Sequence, residues 1–99
     1  MRKSYTYMMS NKNNTVIYTG VTSNILKRVW QHKNKEFKGF TSKYNCDKLV
    51  FYREFYDIRD AIAYEKKLKA GSRAAKEKMI NEMNPEWMDL SDGWILTSE

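Results

Sequence analysis

The sequence has little of what staples, breaks or anchors a chain. Its 99 residues include one cysteine, one proline, one histidine and four glycines. Cys46 alone can form no internal disulfide, and a zinc site built on clustered cysteines lacks its ligands. A reducing, cytoplasmic setting fits that usage best. Arg2 and Lys3 are not followed by the apolar stretch of a secretory leader, and no apolar run reaches the length of a membrane span. There is also no internal repeat, low-complexity tract or linker, so the expectation is one domain over residues 1–90 and a short C-terminal tail over 91–99.

Acid is scarce as well. Twelve Asp and Glu face eighteen Lys and Arg, a formal net charge of +6, and the cations are spread along the chain instead of gathered in a tail. Such a balance points to a polyanionic partner, although charge alone does not separate DNA, RNA and acidic membrane, and it also serves plain solubility.

The hydrophobic pattern predicts an α+β domain, a three-stranded antiparallel sheet flanked by helices. Ser4 to Met9 reads as a strand with Tyr5, Tyr7 and Met9 on one face and Thr6 and Met8 on the other. Ser10 to Asn14 has turn composition, Thr15 to Thr19 is a second strand completing a hairpin, and Gly20 ends it. Ser23 is placed to cap a helix whose Ile25, Leu26, Val29 and Trp30 recur at helical spacing. Lys33 to Asp47 lacks a period and reads as a long basic loop carrying Phe37, Phe40 and Tyr44, a length that suggests binding. Lys48 to Phe55 is a third strand, and Asp57 caps a helix from Ile58 to about Lys69, which Gly71 breaks. Ser72 caps a last helix with Ala75, Met79, Ile80 and Met83 inward, and the lone proline, Pro85, stops it at Asn84.

A few residues sit where chemistry is possible. On a helical wheel Glu65 falls among Ala61, Leu68, Ile58 and Ile62, off the polar face. It either pairs with Lys69, four residues on, or holds a divalent cation in a cleft. Arg28 and His32 share one edge of their helix: a guanidinium grips phosphate oxygens in bidentate fashion, and a neutral imidazole accepts a proton near neutral pH, yet two basic residues so placed are more often a solvated face. Tyr7 and Tyr18 lie on neighbouring strands, where most tyrosines only pack. A phenol becomes a base only if a cation beside it favours the phenolate.

The spacing of these residues resembles a known family. Tyr5-Thr6-Tyr7, ten residues, then Tyr18-Thr19-Gly20 looks like the paired tripeptides of the GIY-YIG nucleases. Arg28 follows Gly20 by eight, His32 follows Arg28 by four, and Glu65 lies in the later helix, all in that family's order. The similarity extends from about Ser4 to Leu90, through Gly20-Val21-Thr22-Ser23, the run Glu65 to Lys69, Arg73 and Lys76, and Asn84-Pro85-Glu86-Trp87 with Asp89-Leu90. It is greatest to the small stand-alone bacterial members, relatives of the N-terminal nuclease domain of the excision-repair incision protein. The first tripeptide departs from Gly-Ile-Tyr but keeps Tyr7. Val21 stands where the repair protein has a lysine near its active tyrosine, and His32 where it has a tyrosine, other members having histidine there.

The resemblance implies a metal-dependent endonuclease acting on nucleic acid, DNA ahead of RNA, with low sequence specificity. It implies one Mg²⁺ or Mn²⁺ held by Glu65, Arg28 on the scissile phosphate, and Tyr7 or Tyr18 taking a proton from water with His32 accepting or relaying it. Tyr7 is the favoured base. Lys35, Lys38, Lys43, Lys66, Lys69, Arg73 and Lys76 would hold the backbone without reading sequence. The competing readings are a catalytically weak binding module of the same fold and a general basic RNA-binding protein, both of which would keep their effect in chelator.

Overall fold

The tyrosine- and methionine-rich first strand lies in the middle of the sheet, and that position explains its composition. In a computed structural model, which describes residues 3–98, β1 (Ser4–Ser10) is flanked by β2 (Ile17–Thr22) and β3 (Lys48–Phe55), antiparallel to both. A central strand covered on both faces needs apolar side chains in both directions. Tyr7, Met8 and Met9 are fully buried. Tyr7 and Met9 join Ile25, Val29, Cys46 and Leu49 on one face, while Met8 joins Val50, Phe51, Leu68 and Ile80 on the other. Full burial of a methionine contributes about 1.5–3 kcal/mol. Thr6, equally sealed, donates its hydroxyl to the Ala61 carbonyl at 2.7 Å, so the polar residue on the second face is satisfied by the helix packed there.

Helix α1 (Ile25–Lys33) covers the first face, and α3 (Ile58–Ala70) with α4 (Arg73–Met83) covers the second. The α+β architecture with its three-stranded antiparallel sheet is as the pattern predicts. Asp57 and Ser72 cap their helices as expected, accepting from the Arg59 and Ala75 amides, and α4 ends at Met83, before Pro85.

Several local expectations are corrected. β2 begins at Ile17 and runs through Gly20 to Thr22, so Gly20 does not end it. That extension moves the helix start: Thr22 Oγ1 takes the Asn24 amide, and Asn24, not Ser23, caps α1 by accepting from the Lys27 amide at 3.1 Å. The basic loop contains a short helix, α2 (Phe40–Lys43), entered through Gly39 at φ +108. In α4 only Ile80 is buried and Met79 partly so, whereas Ala75 and Met83 face solvent. The stretch after Leu90 also carries information missed at sequence level: Trp94 and Leu96 pack on the first core, Trp94 edge-on to Tyr52 at 5.5 Å. It is tied down by Asp89, whose carboxylate takes Lys33 at 2.5 Å and the Leu49 and Ser91 amides. Among the described residues no helix is long and apolar enough to cross a membrane.

Candidate active site

Strand register brings the two tyrosines together. Tyr7 pairs with Gly20 and Met9 with Tyr18, so Tyr7 and Tyr18 lie on one face of the sheet two positions apart along β2, with rings 6.3 Å apart. Because Gly20 has no side chain, the Tyr7 ring can lie across β2. A Cβ there would come within 2.6 Å of the Tyr7 hydroxyl oxygen.

α1 delivers Arg28 and His32 to the same point. The Tyr7 hydroxyl is 2.9 Å from His32 Nε2 and accepts from Arg28 Nη1 at 3.3 Å, and Arg28 also donates to the Val21 carbonyl at 3.3 Å. The Tyr18 ring is 5.5 Å from that of His32, and Phe37 closes over the group, 5.0 Å from His32 and 5.4 Å from the Arg28 guanidinium. Four of the predicted residues therefore share one cluster.

The electrostatics follow from burial. Burial pushes the Tyr7 phenol well above the ordinary tyrosine range, with Arg28 acting in the opposite direction and Tyr18 and Glu65 adding to the rise. Burial, helped by the Arg28 charge, lowers His32 to about 4, so its imidazole is neutral at neutral pH. His32 Nδ1 is buried without a hydrogen-bond partner among the described residues.

Glu65 reaches the cluster from α3. Its side chain is 13% exposed and its Oε2 is 2.9 Å from Lys69 Nζ, which itself sits 6.0 Å over the Tyr18 ring. The ion pair weighed from sequence is thus present, and the Glu65 charge is near enough to add to the rise of the Tyr7 phenol. Among the described residues no three His, Cys, Asp or Glu converge as a metal cage. One partly buried carboxylate with no further hydrogen bond among the described residues is nevertheless a hard oxygen donor of the kind that Mg²⁺ uses when water and substrate phosphate supply the remaining ligands.

The cations expected to hold the backbone divide into groups. Lys38, Lys43 and Lys66 are exposed, and Lys35 is exposed with its ammonium on Asn45 Oδ1. Arg73 is committed: it pairs with Glu77 and donates to the Asn14 and Thr15 carbonyls at 2.5 and 2.8 Å, fastening α4 to the hairpin loop. Lys76 lines a cavity of about 400 Å³ beside Phe40, Tyr44 and Arg73. The aromatic shell of Phe37, Phe40 and Tyr44 was visible in sequence only as unpatterned aromatics in a basic loop, and its role emerges from packing: Phe40 is 6.4 Å from Tyr18 and 4.9 Å from Tyr44.

The GIY-YIG catalytic domain pattern matches residues 3–79, and the chain belongs to that family of nucleases. Its relatives are small stand-alone UPF0213 proteins. One, from Staphylococcus haemolyticus, is 33% identical over 82 residues, covering 83% of this chain and 99% of the relative. Another, from Syntrophus aciditrophicus, is 33% identical over 89 residues, covering 89% and 100%. The solution NMR structure of a UPF0213 protein from Bacillus halodurans shares the fold, with a TM-score of 0.58 and 22% identity over 93% of this chain and 97% of that one.

Proposed function

We propose that the chain is a metal-dependent endonuclease that hydrolyses phosphodiester bonds in nucleic acid, with DNA as its substrate, little sequence preference and a cytoplasmic setting. The observation that carries this reading is the Tyr7 hydroxyl held between His32 Nε2 at 2.9 Å and Arg28 Nη1 at 3.3 Å. The setting rests on Cys46, a free and buried thiol.

Arg28 has two roles in this scheme. At rest it covers the Tyr7 oxygen. On meeting the scissile phosphate it exchanges its bonds to Tyr7 and the Val21 carbonyl for phosphate oxygens, offsets the charge that grows there, and uncovers the phenol. Tyr7 Oη then takes a proton from the attacking water as its own proton passes to His32 Nε2, the imidazole being neutral and acting in its Nδ1–H tautomer. Tyr18 and Phe37 wall the group and keep bulk water out. Glu65 is the residue that would hold Mg²⁺ or Mn²⁺, with Lys69 yielding its place. Such an ion, when bound, supplies positive charge to the leaving 3′ oxygen. Lys76 and the exposed Lys35, Lys38, Lys43 and Lys66 engage the backbone, with Lys69 joining once released. Arg73 contributes by holding the hairpin loop.

The second reading, a catalytically weak binding module, is favoured by Glu65 being already neutralised by Lys69 and by the complete burial of Tyr7. Incubation with labelled single-stranded, duplex, branched and nicked DNA and matching RNAs, with Mn²⁺ or with chelator, separates the two. Cleavage confined to the metal arm supports the nuclease, and binding without cleavage in both arms supports the module.

A further inference from the structure

Arg53 lies on β3 opposite Thr6, on the sheet face that α3 covers. Its guanidinium is 4.9 Å from the Tyr64 ring centroid and 5.2 Å from that of Phe55, and those two rings are 5.7 Å apart. Stacking of this kind fixes the plane of the fork, so less conformational freedom is lost when it binds. Yet Arg53 has no acidic partner and no hydrogen-bond acceptor among the described residues. It is a preorganised guanidinium with unused donors.

Arg53, itself exposed, lines a cavity of about 550 Å³ between β3, α3 and α4. Lys67 and Lys78 share its lining, also without acidic partners, and no Asp or Glu contributes to it. Apolar surface comes from Leu68 and Met79, and the Tyr64 hydroxyl is buried with no hydrogen-bond partner among the described residues. The cavity is separate from the candidate active site: that site forms against β2, at the opposite edge of the sheet from β3, and none of its residues line this cavity.

We propose that this cavity is a second ligand site, taking a phosphate monoester attached to an apolar or planar body. Three unpaired cations match a phosphate dianion better than a single carboxylate, and the fork of Arg53 suits two phosphate oxygens. A phosphate ion alone would leave most of the volume and the Leu68 and Met79 surface unused. Two sources carry the required chemistry: a free 5′-mononucleotide and the 5′-phosphorylated end of a nucleic-acid strand.

The test uses the full chain in chelator at low salt, so that it is independent of cleavage. 2′-Deoxyadenosine 5′-monophosphate, deoxyadenosine, inorganic phosphate, and a short oligonucleotide with and without a 5′-phosphate are titrated while backbone amide shifts are followed. The mononucleotide is expected to saturate one site and to shift Arg53, Leu68 and the 75–79 segment. Deoxyadenosine should not bind, and inorganic phosphate should bind about tenfold more weakly. Arg53→Gln should weaken the monoester about tenfold, and Lys67→Gln with Lys78→Gln, at exposed positions unconnected to the aromatic stack, should do the same. Lys12→Gln, at an exposed position of the hairpin loop outside both sites, should leave it unchanged. If only the phosphorylated oligonucleotide gives these shifts, the source is a strand end; if only the mononucleotide does, it is a free nucleotide. No saturable binding by any phosphate-bearing probe, shifts confined to Phe40, Tyr44 and Lys76, or undiminished binding in both variants would overturn the proposal.

Discussion

Gly20 and Tyr7 face each other across the β1–β2 ladder, and a Cβ at position 20 would lie 2.6 Å from the Tyr7 hydroxyl oxygen and 2.7 Å from its Cζ. The glycine of the second tripeptide therefore makes room for the tyrosine of the first. Tyr7 is sealed in the core and cannot swing aside freely. Gly20→Ala is expected to cost about 1–3 kcal/mol through overpacking, read from urea denaturation. It should also break the Tyr7–His32 contact and lower any cleavage more than it lowers nucleic-acid affinity. An alanine variant with wild-type stability and activity would show that the close approach is not needed.

His32 provides a pH signature. Its folded pKa of about 4 lies below the ordinary histidine value of about 6.5, so between these limits the unfolded chain binds more protons than the native one. Stability is therefore fully present above about pH 6.5 and declines as pH falls toward 4, by roughly 1–3 kcal/mol for this group. Asp57, held below the usual carboxylate range by Arg59, and Asp89, held below it against the effect of burial by Lys33 and Ser91, lose their contributions at lower pH, as they protonate. Denaturation curves for the wild type and His32→Gln at pH 4.5 and 7 should converge at the acid end. Parallel curves across that window would exclude a depressed His32.

Arg73 and Lys76, grouped together by sequence, should separate in experiment. Lys76 lines a cleft and is expected to act on binding alone: Lys76→Ala should weaken DNA uniformly across sequences and reduce the salt slope by about 1. Arg73 holds the Asn14 and Thr15 carbonyls, so Arg73→Ala should lower thermal stability as well. Identical behaviour of the two variants would count against this division.

The contrast shows which parts of the molecule were legible in sequence. Elements defined by a local signal were: β3 from its Leu-Val-Phe-Tyr run, α3 and α4 from the Asp57 and Ser72 caps, the stop before Pro85. The cluster of Tyr7, Tyr18, Arg28 and His32 was legible through spacing, because strand register and helical period turn fixed intervals into fixed positions. What depended on distant partners was not. Gly20 read as a terminator because the tyrosine it accommodates is thirteen positions away; Asn24 displaced Ser23 as cap because β2 extends to Thr22; Ala75 and Met83 fell at inward spacing but α4 rests on the sheet through Ile80. Trp94 and Leu96 found places in a core whose walls are set by β3 and α1.

Glu65 and Lys69 carry the last prediction. Their contact at 2.9 Å joins a carboxylate that is 13% exposed to an ammonium that is 52% exposed, so the lysine is the partner able to leave. If Glu65 serves only that pair, Glu65→Ala costs at most about 0.5 kcal/mol and leaves any cleavage intact. If it is the metal ligand, the same change abolishes metal-dependent cleavage while stability and DNA binding in chelator stay nearly unchanged. Lys69 then competes with the ion for one carboxylate, and removing it frees the ligand. Lys69→Met should tighten Mn²⁺ binding by about two- to fivefold, measured by calorimetry without nucleic acid, because the displaced pair contributes at most about 1 kcal/mol in a partly screened position. The same variant should weaken DNA binding, having lost a phosphate contact. Opposite signs for metal and DNA affinity are what an exchange at Glu65 requires, and a purely structural ion pair gives neither. Full cleavage by Glu65→Ala at saturating Mn²⁺, or weaker Mn²⁺ binding by Lys69→Met, would remove Glu65 from the site.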